Sequence, residues 1–249
     1  MNWSFRPVRL HNAAFIAVGL FHALLWIGGV LSYLVWGGPP SGSEWAAPFF
    51  LLTAAVLILF SWPARNWGWL FWAGIVGYSS EVLGVTIGAP YGGYRYRDVL
   101  GPKMAGAPLV MICAWITLAA YVRDWLRRRG VHRRWRIWIG AFSMTTLDLL
   151  IDPLAAGPLG YWEWLHPGAY YGIPLSNFVG WFLVSAIVFL PAGADVPAHP
   201  VLRSVGIGIV AFFGVLALAY QFWIPALVAT GWIAAEGWVS RTDQRTFLA

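Results

Sequence analysis

The segment EVLGVTIGAPYGGYRYRDVLGPKMAGAP, residues 81–108, organises the rest of this chain. It starts with a carboxylate, Glu81, inside one apolar run and ends where the next apolar run begins. Between these runs it carries three tyrosines, a second acid and three bases among glycines and prolines. Ionisable groups inside apolar spans are costly and usually functional. The segment therefore predicts two membrane helices joined by a loop that builds a site.

Composition places the whole chain in a membrane. Of 249 residues, 59% are hydrophobic and 10% are charged, where a soluble domain has about 25% charged residues. We expect an all-α, polytopic integral membrane protein. Its net charge of +6 does not indicate a nucleic-acid partner. The bases cluster at the ends of apolar runs, where they set the topology of a membrane protein. Cys113 is the one cysteine, so neither an internal disulfide nor a thiolate metal cluster is expected.

The apolar runs predict seven to eight spans in a single membrane domain, residues 1–249. A span needs about 20 apolar residues, and the first run is too long for a cleaved signal peptide. The tract 204–239 has 36 residues, about 54 Å as a helix and too long for one crossing. We expect Pro225 to break it. The expected spans are 13–36, 46–62, 67–87, 107–123, 136–152, 177–191 and 204–223, with a weaker eighth at 225–239.

The basic residues predict the orientation. With eight spans and a cytoplasmic N-terminus, 13 of the 16 bases fall on the cytoplasmic side, seven of them arginines in residues 123–136. We expect a bacterial cytoplasmic membrane. The arginine-rich loop is read as a topology determinant, with binding of anionic lipid headgroups as the alternative. Arg95, Arg97 and Lys103 remain on the opposite side, which favours a functional interpretation.

A second segment, residues 148–181, supplies two more acids. Asp148 and Asp152 are four residues apart, so they share one helix face. Two carboxyl groups in a low dielectric do not both ionise readily, so one is expected to stay protonated and to serve as a general acid. The alternative is a capping role for Asp152 before Pro153. The topology predicts that the two loops meet beside these acids and Glu81, with Asn177 orienting a water or an acid.

Aromatic and histidine residues receive more ordinary interpretations. His22, alone in the first span, is taken as a packing residue. Trp115 and Trp181 lie inside spans, where they either line a cavity for an extended apolar ligand or only pack helices. Most of the 18 tryptophans are expected in the interfacial belt, including Trp36, Trp45, Trp62, Trp67 and Trp164.

Neither a metal nor a cofactor is expected. The five histidines form no clustered box, and Glu163 with His166 gives one E-x-x-H where di-iron bundles use two. No glycine-rich phosphate loop of the P-loop or dinucleotide type is present in the sequence.

Two ordered blocks resemble the membrane carotenoid 1',2'-hydratases. The first is E-x-x-G-x-x-x-G-x-x-Y-G-x-Y-x-Y at 81–96, followed by L-G-P at 100–102 and P-x-x-x-x-x-x-W at 108–115. The second is D-x-x-x-D-P at 148–153, W-x-W at 162–164 and Y-Y-G-I-P-L-x-N-F-x-G-W at 170–181. The resemblance covers roughly residues 70–185.

This resemblance implies addition of water across the terminal C1'=C2' bond of an acyclic carotenoid end, as in γ-carotene or lycopene, or of a C50 carotenoid as in archaeal relatives. It implies a carotenoid held in the bilayer, water and membrane lipids as partners, no cofactor, and scope for association with other enzymes of the pathway. We hypothesise that Asp148 or Asp152 delivers the proton and that Glu81 positions the water or acts as its base.

The remaining site residues are assigned by hypothesis. Asn177 would hold the water, and Arg95, Arg97 and Asp98 would support the loop or tune the acids. The substrate-binding pocket would be lined by Tyr91, Tyr94, Tyr96, Trp115, Trp162, Tyr171 and Trp181.

Two other functions stay open at this stage. An intramembrane prenyltransferase or carotenoid elongase would use D-x-x-x-D to hold Mg²⁺, with Arg95, Arg97 and Lys103 on phosphates. A non-catalytic carotenoid-binding or transport protein would also carry embedded acids.

Overall fold

The computed structural model describes residues 8–191 and 199–246, with side chains for 13–191 and 199–237. Arg6 lies outside the described residues, as do the side chains of Arg9, Arg241 and Arg245. The expected all-α architecture is confirmed. The helices are α1 (Val8–Trp36), α2 (Ala46–Ser61), α3 (Trp67–Ile87), α4 (Met111–Arg128), α5 (Arg136–Ala156), α6 (Leu175–Phe189), α7 (Pro200–Ala219) and α8 (Trp223–Thr246). The short strands are β1 (Tyr94–Tyr96), β2 (Lys103–Met104), β3 (Ala107–Pro108) and β4 (Trp162–Trp164).

Several helices have the length and composition of membrane spans. Within the described residues, four qualify, at Ala13–Trp36, Ala64–Ile87, Arg133–Ala156 and Pro200–Ala219. Helices α2 and α6 are apolar but have only 16 and 15 residues, about 24 and 23 Å against a hydrocarbon core of about 30 Å. Helices α4 and α8 carry several charged residues. The chain is a membrane protein built from apolar helices.

The sequence predicted that helix α5 ends at Asp152, and the structure contradicts this prediction. The helix runs through Pro153 to Ala156. A proline inside a helix has no N–H for the carbonyl four residues before it, which here is Leu149. The hydroxyl of Tyr170 donates to that carbonyl at 2.9 Å. The freed acceptor is therefore satisfied, and Asp152 lies within the helix rather than capping its end.

Two other predicted boundaries are corrected. The fourth span, expected at 107–123, begins only at Met111, because residues 107–108 pair with β2, and it extends to Arg128. The tract 204–239 is broken at 220–222, where Gln221 has a φ of 61°, and not at Pro225. Pro225 lies in the first turn of α8, where a missing N–H costs no helix bond.

The packing brings the two predicted loops together. Helix α3 packs on α4, α5 on α6, and α7 on α8, while α1 lies at the periphery against α2 and α7. At one end of the helices, β1 pairs antiparallel with β4, so that Tyr94 faces Trp164, Arg95 faces Glu163 and Tyr96 faces Trp162. The expected meeting of the loops is confirmed. This ladder covers the ends of α3 and α5.

An ion-pair cluster that has no local signature in the sequence joins the last turns of α4 and the start of α7 to the middle of α8. Arg128 donates to Asp124 at 2.6 Å and to both oxygens of Glu236 at 2.8 Å. Arg203 pairs with Glu236 at 3.0 Å, and Tyr121 donates to it at 3.1 Å. Arg128 of the arginine-rich loop is thus a buried ion-pair partner rather than only a topology signal.

Candidate active site

Glu81 lies fully inside the protein, in the last turns of α3, and accepts from three side chains. Tyr94 and Tyr96 both donate to its Oε2, the latter at 2.7 Å. The indole of Trp115 donates to Oε1 at 3.0 Å. The carboxyl group is 4% exposed. Both oxygens of Glu81 are therefore occupied by donors from β1 and α4.

The alternation of β1 explains why the tyrosines reach Glu81. Successive strand residues point to opposite faces, so Tyr94 and Tyr96 are buried while Arg95 between them is exposed. Burial is the main cause that raises the pKa of both phenols well above the usual value, and the neighbouring Glu81 adds to it. Both phenols thus stay protonated and act as donors.

Asp148 and Asp152 are joined by one amide. The Nδ2 group of Asn177 donates to Oδ2 of Asp148 at 2.6 Å and to Oδ2 of Asp152 at 2.8 Å. Trp162 donates from its indole to Oδ1 of Asp152 at 2.7 Å. The amide of Asn177 reaches Oδ2 of Asp148, and among the described residues no hydrogen bond to its Oδ1 is found. The two carboxyl groups lie one helical turn apart, as the four-residue spacing predicts, but only Asp148 keeps an oxygen without a donor.

Two neighbouring cavities meet at these acids. The small cavity, about 30 Å³, is lined by Glu81, Tyr91, Tyr94, Tyr96, Met111, Asp148, Asp152, Trp162, Trp164, Asn177 and Trp181. The large cavity, about 140 Å³, is mostly apolar and runs between α1, α2, α4, α5 and α7. The residues that line both are Met111, Asp148, Trp162 and Trp181. Of these four residues, only Asp148 has a carboxyl group.

Trp115 and Trp181 line the large cavity, as one of the two interpretations expected. Their rings are stacked, with centroids 4.4 Å apart. The ring of Trp115 packs directly against the backbone of α3 at Gly77. Any side chain at residue 77 would collide with the ring, because a Cβ there would lie 2.1 Å from it. The two tryptophans thus contribute both to helix packing and to the cavity wall.

The charged residues of the first loop do not pair with the buried carboxyl groups of Glu81, Asp148 and Asp152. Arg95 and Arg97 both bind Glu163 on the exposed face of the β1–β4 ladder. Asp98 pairs with Lys103 at 2.7 Å and is fully exposed. The hydrogen bond from Arg95 chiefly lowers the pKa of Glu163, and that from Lys103 lowers the pKa of Asp98. These ion pairs hold the loop in place. The glutamate of the E-x-x-H motif, Glu163, is the partner of both arginines.

The tyrosines of the two blocks separate. Tyr91 is buried in the wall of the small cavity, and its hydroxyl bonds Ser80 at 2.6 Å. Tyr171 lines neither cavity; it packs edge to face on Tyr170 and Phe222. The structure therefore does not bring Tyr171 together with the acids.

Two further interpretations from sequence are resolved by the packing. His22 bonds Thr53 at 2.9 Å and stacks on Phe50, as expected of a packing residue. Trp164, which was expected in the interfacial belt, packs on Tyr94 in the wall of the small cavity. Trp62, another tryptophan expected in the belt, is buried against Trp69. The W-x-W alternation, which puts both rings on one face of a strand, could have identified Trp164.

The donor set around the acids also bears on metal binding. In the part of the chain that the structure describes, no group of three or more His, Cys, Asp and Glu side chains is arranged to hold a metal ion. Between Asp148 and Asp152 the structure places the amide nitrogen of Asn177, a hydrogen-bond donor. A donor in that position suits carboxyl groups and not a cation.

Comparison with known proteins identifies a family that this chain matches. The profile of a family described as carotenoid biosynthesis protein matches residues 46–235. The bisanhydrobacterioruberin hydratase of Haloarcula japonica is 27% identical over 180 residues, which is 67% of this chain and 61% of that protein. This chain thus matches less than two thirds of the length of that relative. No solved structure matches. Because the family profile covers more than half of the chain, from the start of α2 into α8, the chain belongs to the carotenoid biosynthesis protein family.

Proposed function

We propose that this protein is a carotenoid 1',2'-hydratase, which adds water across the terminal C1'=C2' bond of an acyclic carotenoid end to give a tertiary alcohol. Its substrate class would be γ-carotene, lycopene or a related longer carotenoid. The family match and the name of the archaeal relative support a carotenoid hydratase. The site supplies the chemical argument.

One observation carries the proposal: three buried carboxyl groups line a water-sized cavity that adjoins a larger apolar one. A cavity needs about 10–15 Å³ of this kind of volume to hold a water, and the small cavity has about 30 Å³. The apolar cavity suits the end of a polyene. Acid, water and alkene would therefore meet at one place.

The chemistry needs only these parts. Protonation of the trisubstituted alkene at C2' leaves a tertiary cation at C1', and water attacks that carbon. A carboxyl group removed from water can carry the proton. Aromatic faces stabilise the cation, each by about 0.5–2 kcal/mol, and Trp162 and Trp181 line both cavities. The donor would come from the pair Asp148 and Asp152.

The geometry weighs against the transferase alternative. A prenyltransferase would hold Mg²⁺ between acidic side chains, with bases on the diphosphate. In this chain the two aspartates share an amide donor. Arg95 and Arg97 bind Glu163, and Lys103 binds Asp98. Activity that persists in the presence of a chelator, with no diphosphate substrate, would separate hydration from transfer.

The decisive experiment is expression in a bacterium that accumulates lycopene and γ-carotene, followed by chromatography and mass spectrometry of the pigments. The expected product is heavier by one water and keeps the visible chromophore. A variant with Glu81→Gln, Asp148→Asn and Asp152→Asn should be present in the membrane and give no such product. Full activity of that triple variant would overturn the proposed site. Unchanged pigments with the native chain, in this strain and in one that makes C50 carotenoids, would overturn the function.

We also propose that all eight helices enter the bilayer as one membrane domain, in a bacterial cytoplasmic membrane with the N-terminus in the cytoplasm. The arginines of residues 123–136 then lie on the cytoplasmic side, and the acids lie near the opposite face. Cysteines placed singly at Arg133 and at Asp98 should react with a membrane-impermeant thiol reagent from opposite sides, in a background where Cys113 is serine. Labelling of both positions from the same side would contradict this topology.

A further inference from the structure

We infer that the two cavities divide the reaction: the small one binds the attacking water, the large one binds the alkene, and Asp148 is the proton donor between them. This inference rests on the proposed function. It assigns separate roles to Asp148 and Asp152, which the sequence could not distinguish.

Geometry selects Asp148 as the donor. Glu81 and Asp152 line only the small cavity, whereas Asp148 lines both. Both oxygens of Glu81 accept hydrogen bonds, as do both oxygens of Asp152. Oδ2 of Asp148 accepts from Asn177, while no hydrogen bond from the described residues to Oδ1 is found. A proton on Oδ1 would thus be available at the junction of the two cavities without displacing any of these bonds.

The other acid on the large cavity does not fit this role. Glu44 lies in the exposed connection between α1 and α2. Hydrogen bonds from backbone N–H groups, its own first and then that of Gly42, lower its pKa. Glu44 is therefore ionised at neutral pH and has no proton to deliver.

The small cavity has the features of a water site. It is lined by three carboxyl groups and by Asn177, and two to four polar partners are what a buried water requires. It shares Asp148, Trp162 and Trp181 with the large cavity. A water held there would reach C1' from the side of the acids, while the polyene stays in the apolar cavity.

The proton balance closes within the aspartate pair. Asp148 gives its proton to C2', the C1'=C2' π bond becomes the new C–H bond, and C1' becomes a cation. The water oxygen forms the C1'–O bond, and the proton that it loses passes to Asp152 and back to Asp148. Asn177 bonds both carboxyl groups and so keeps the two aspartates next to each other on the small cavity. The pair ends the cycle with the proton it had at the start.

Deuterium tests the division of roles. Membranes containing the native chain, supplied with lycopene in D₂O, should give an alcohol with one non-exchangeable deuterium at C2'. If the native chain gives no deuterated alcohol from lycopene, from γ-carotene or from a C50 carotenoid, the proposed function itself fails. Asp148→Asn and Asp152→Asn are a matched pair, since both are buried carboxyl groups of α5 bonded to Asn177. Thermal unfolding in detergent shows that each variant is folded.

The pair should differ in a way that a loss of structure would not produce. Asp148→Asn should lower deuterium at C2' at least 100-fold in both the alcohol and the recovered alkene. Asp152→Asn should lower the alcohol at least 10-fold but leave deuterium in the recovered alkene, because the cation forms and then loses a proton. Asp148→Glu, which restores a carboxyl group, should recover part of the deuteration. The inference is overturned if Asp148→Asn still deuterates the alkene, if Asp148→Glu recovers none, or if the two amide variants give the same ratio of alcohol to deuterated alkene.

Discussion

Trp115 stacks on Trp181, with ring centroids 4.4 Å apart and planes within 13°, while its indole N–H donates to Glu81 at 3.0 Å. One side chain therefore connects the wall of the large cavity to an acid of the small one. The space for its ring comes from Gly77 of α3, where a Cβ would lie 2.1 Å from Trp115 Cγ. The position of Glu81 thus depends on a glycine one helical turn away.

We expect Gly77→Ala to displace Trp115. Overpacking of this kind costs about 1–3 kcal/mol of unfolding free energy, and the displaced indole would no longer bond Glu81. Thermal unfolding in detergent and the yield of hydrated pigment in the carotenoid-producing strain measure the two effects. Both should fall.

Gly68 provides the matched control for this substitution. It lies in the same helix, and a Cβ there meets nothing within 4 Å. Because alanine favours a helix over glycine by up to about 1 kcal/mol, Gly68→Ala should be neutral or stabilising. If both alanine variants behave alike in stability and product yield, the close approach of Trp115 to α3 has no functional importance.

The sequence predicted the acid cluster because local rules decide it. A spacing of four placed Asp148 and Asp152 on one face of α5, and the order of the spans brought both loops to one end. The same rules could have placed Arg95, since a two-residue alternation that buries Tyr94 and Tyr96 must expose the residue between them. That observation would have excluded Arg95 from tuning the acids.

Long-range pairing could not be read in the same way. Arg128 looked like one of many topology charges, and its bonds to Glu236 depend on how α4 packs against α8, 108 residues away. Pro153 looked like the end of a helix, because the partner that makes it tolerable, Tyr170, lies in another loop. Such features follow from tertiary packing and carry no local signature.

Trp162 should contribute more to the hydration rate than Trp164. Its indole N–H donates to Asp152 at 2.7 Å, whereas that of Trp164 has no acceptor among the described residues. A hydrogen bond to a charged group contributes about 1.5–3 kcal/mol, so Trp162→Phe should lower the hydration rate about 10- to 100-fold. Trp164→Phe should have a smaller effect. Initial rates in isolated membranes compare the two, and a larger loss for Trp164→Phe would contradict the role given to Trp162.

Tyr170 and Pro153 should be energetically coupled. Tyr170→Phe leaves the carbonyl of Leu149 without its donor, at a cost of about 1–3 kcal/mol. Adding Pro153→Ala supplies a backbone N–H for the same carbonyl. The double variant should therefore be more stable in detergent than Tyr170→Phe alone. Strict additivity of the two changes in a double-mutant cycle would show that the hydroxyl does not compensate for the proline.

Glu236 should be important for stability although it is remote from the acids of the active site. Glu236→Gln leaves Arg128 and Arg203 without their shared carboxylate, and the side chains of Arg128 and Glu236 are only 9% and 3% exposed. Breaking a buried ion pair costs about 3–5 kcal/mol, which in a chain of this size lowers Tm by roughly 6–20 °C. Glu163→Gln, which breaks the exposed pairs with Arg95 and Arg97, should lower Tm much less. Equal shifts in the two variants would mean that water or lipid headgroups compensate Arg128, and that the cluster does not fasten α8 to α4 and α7.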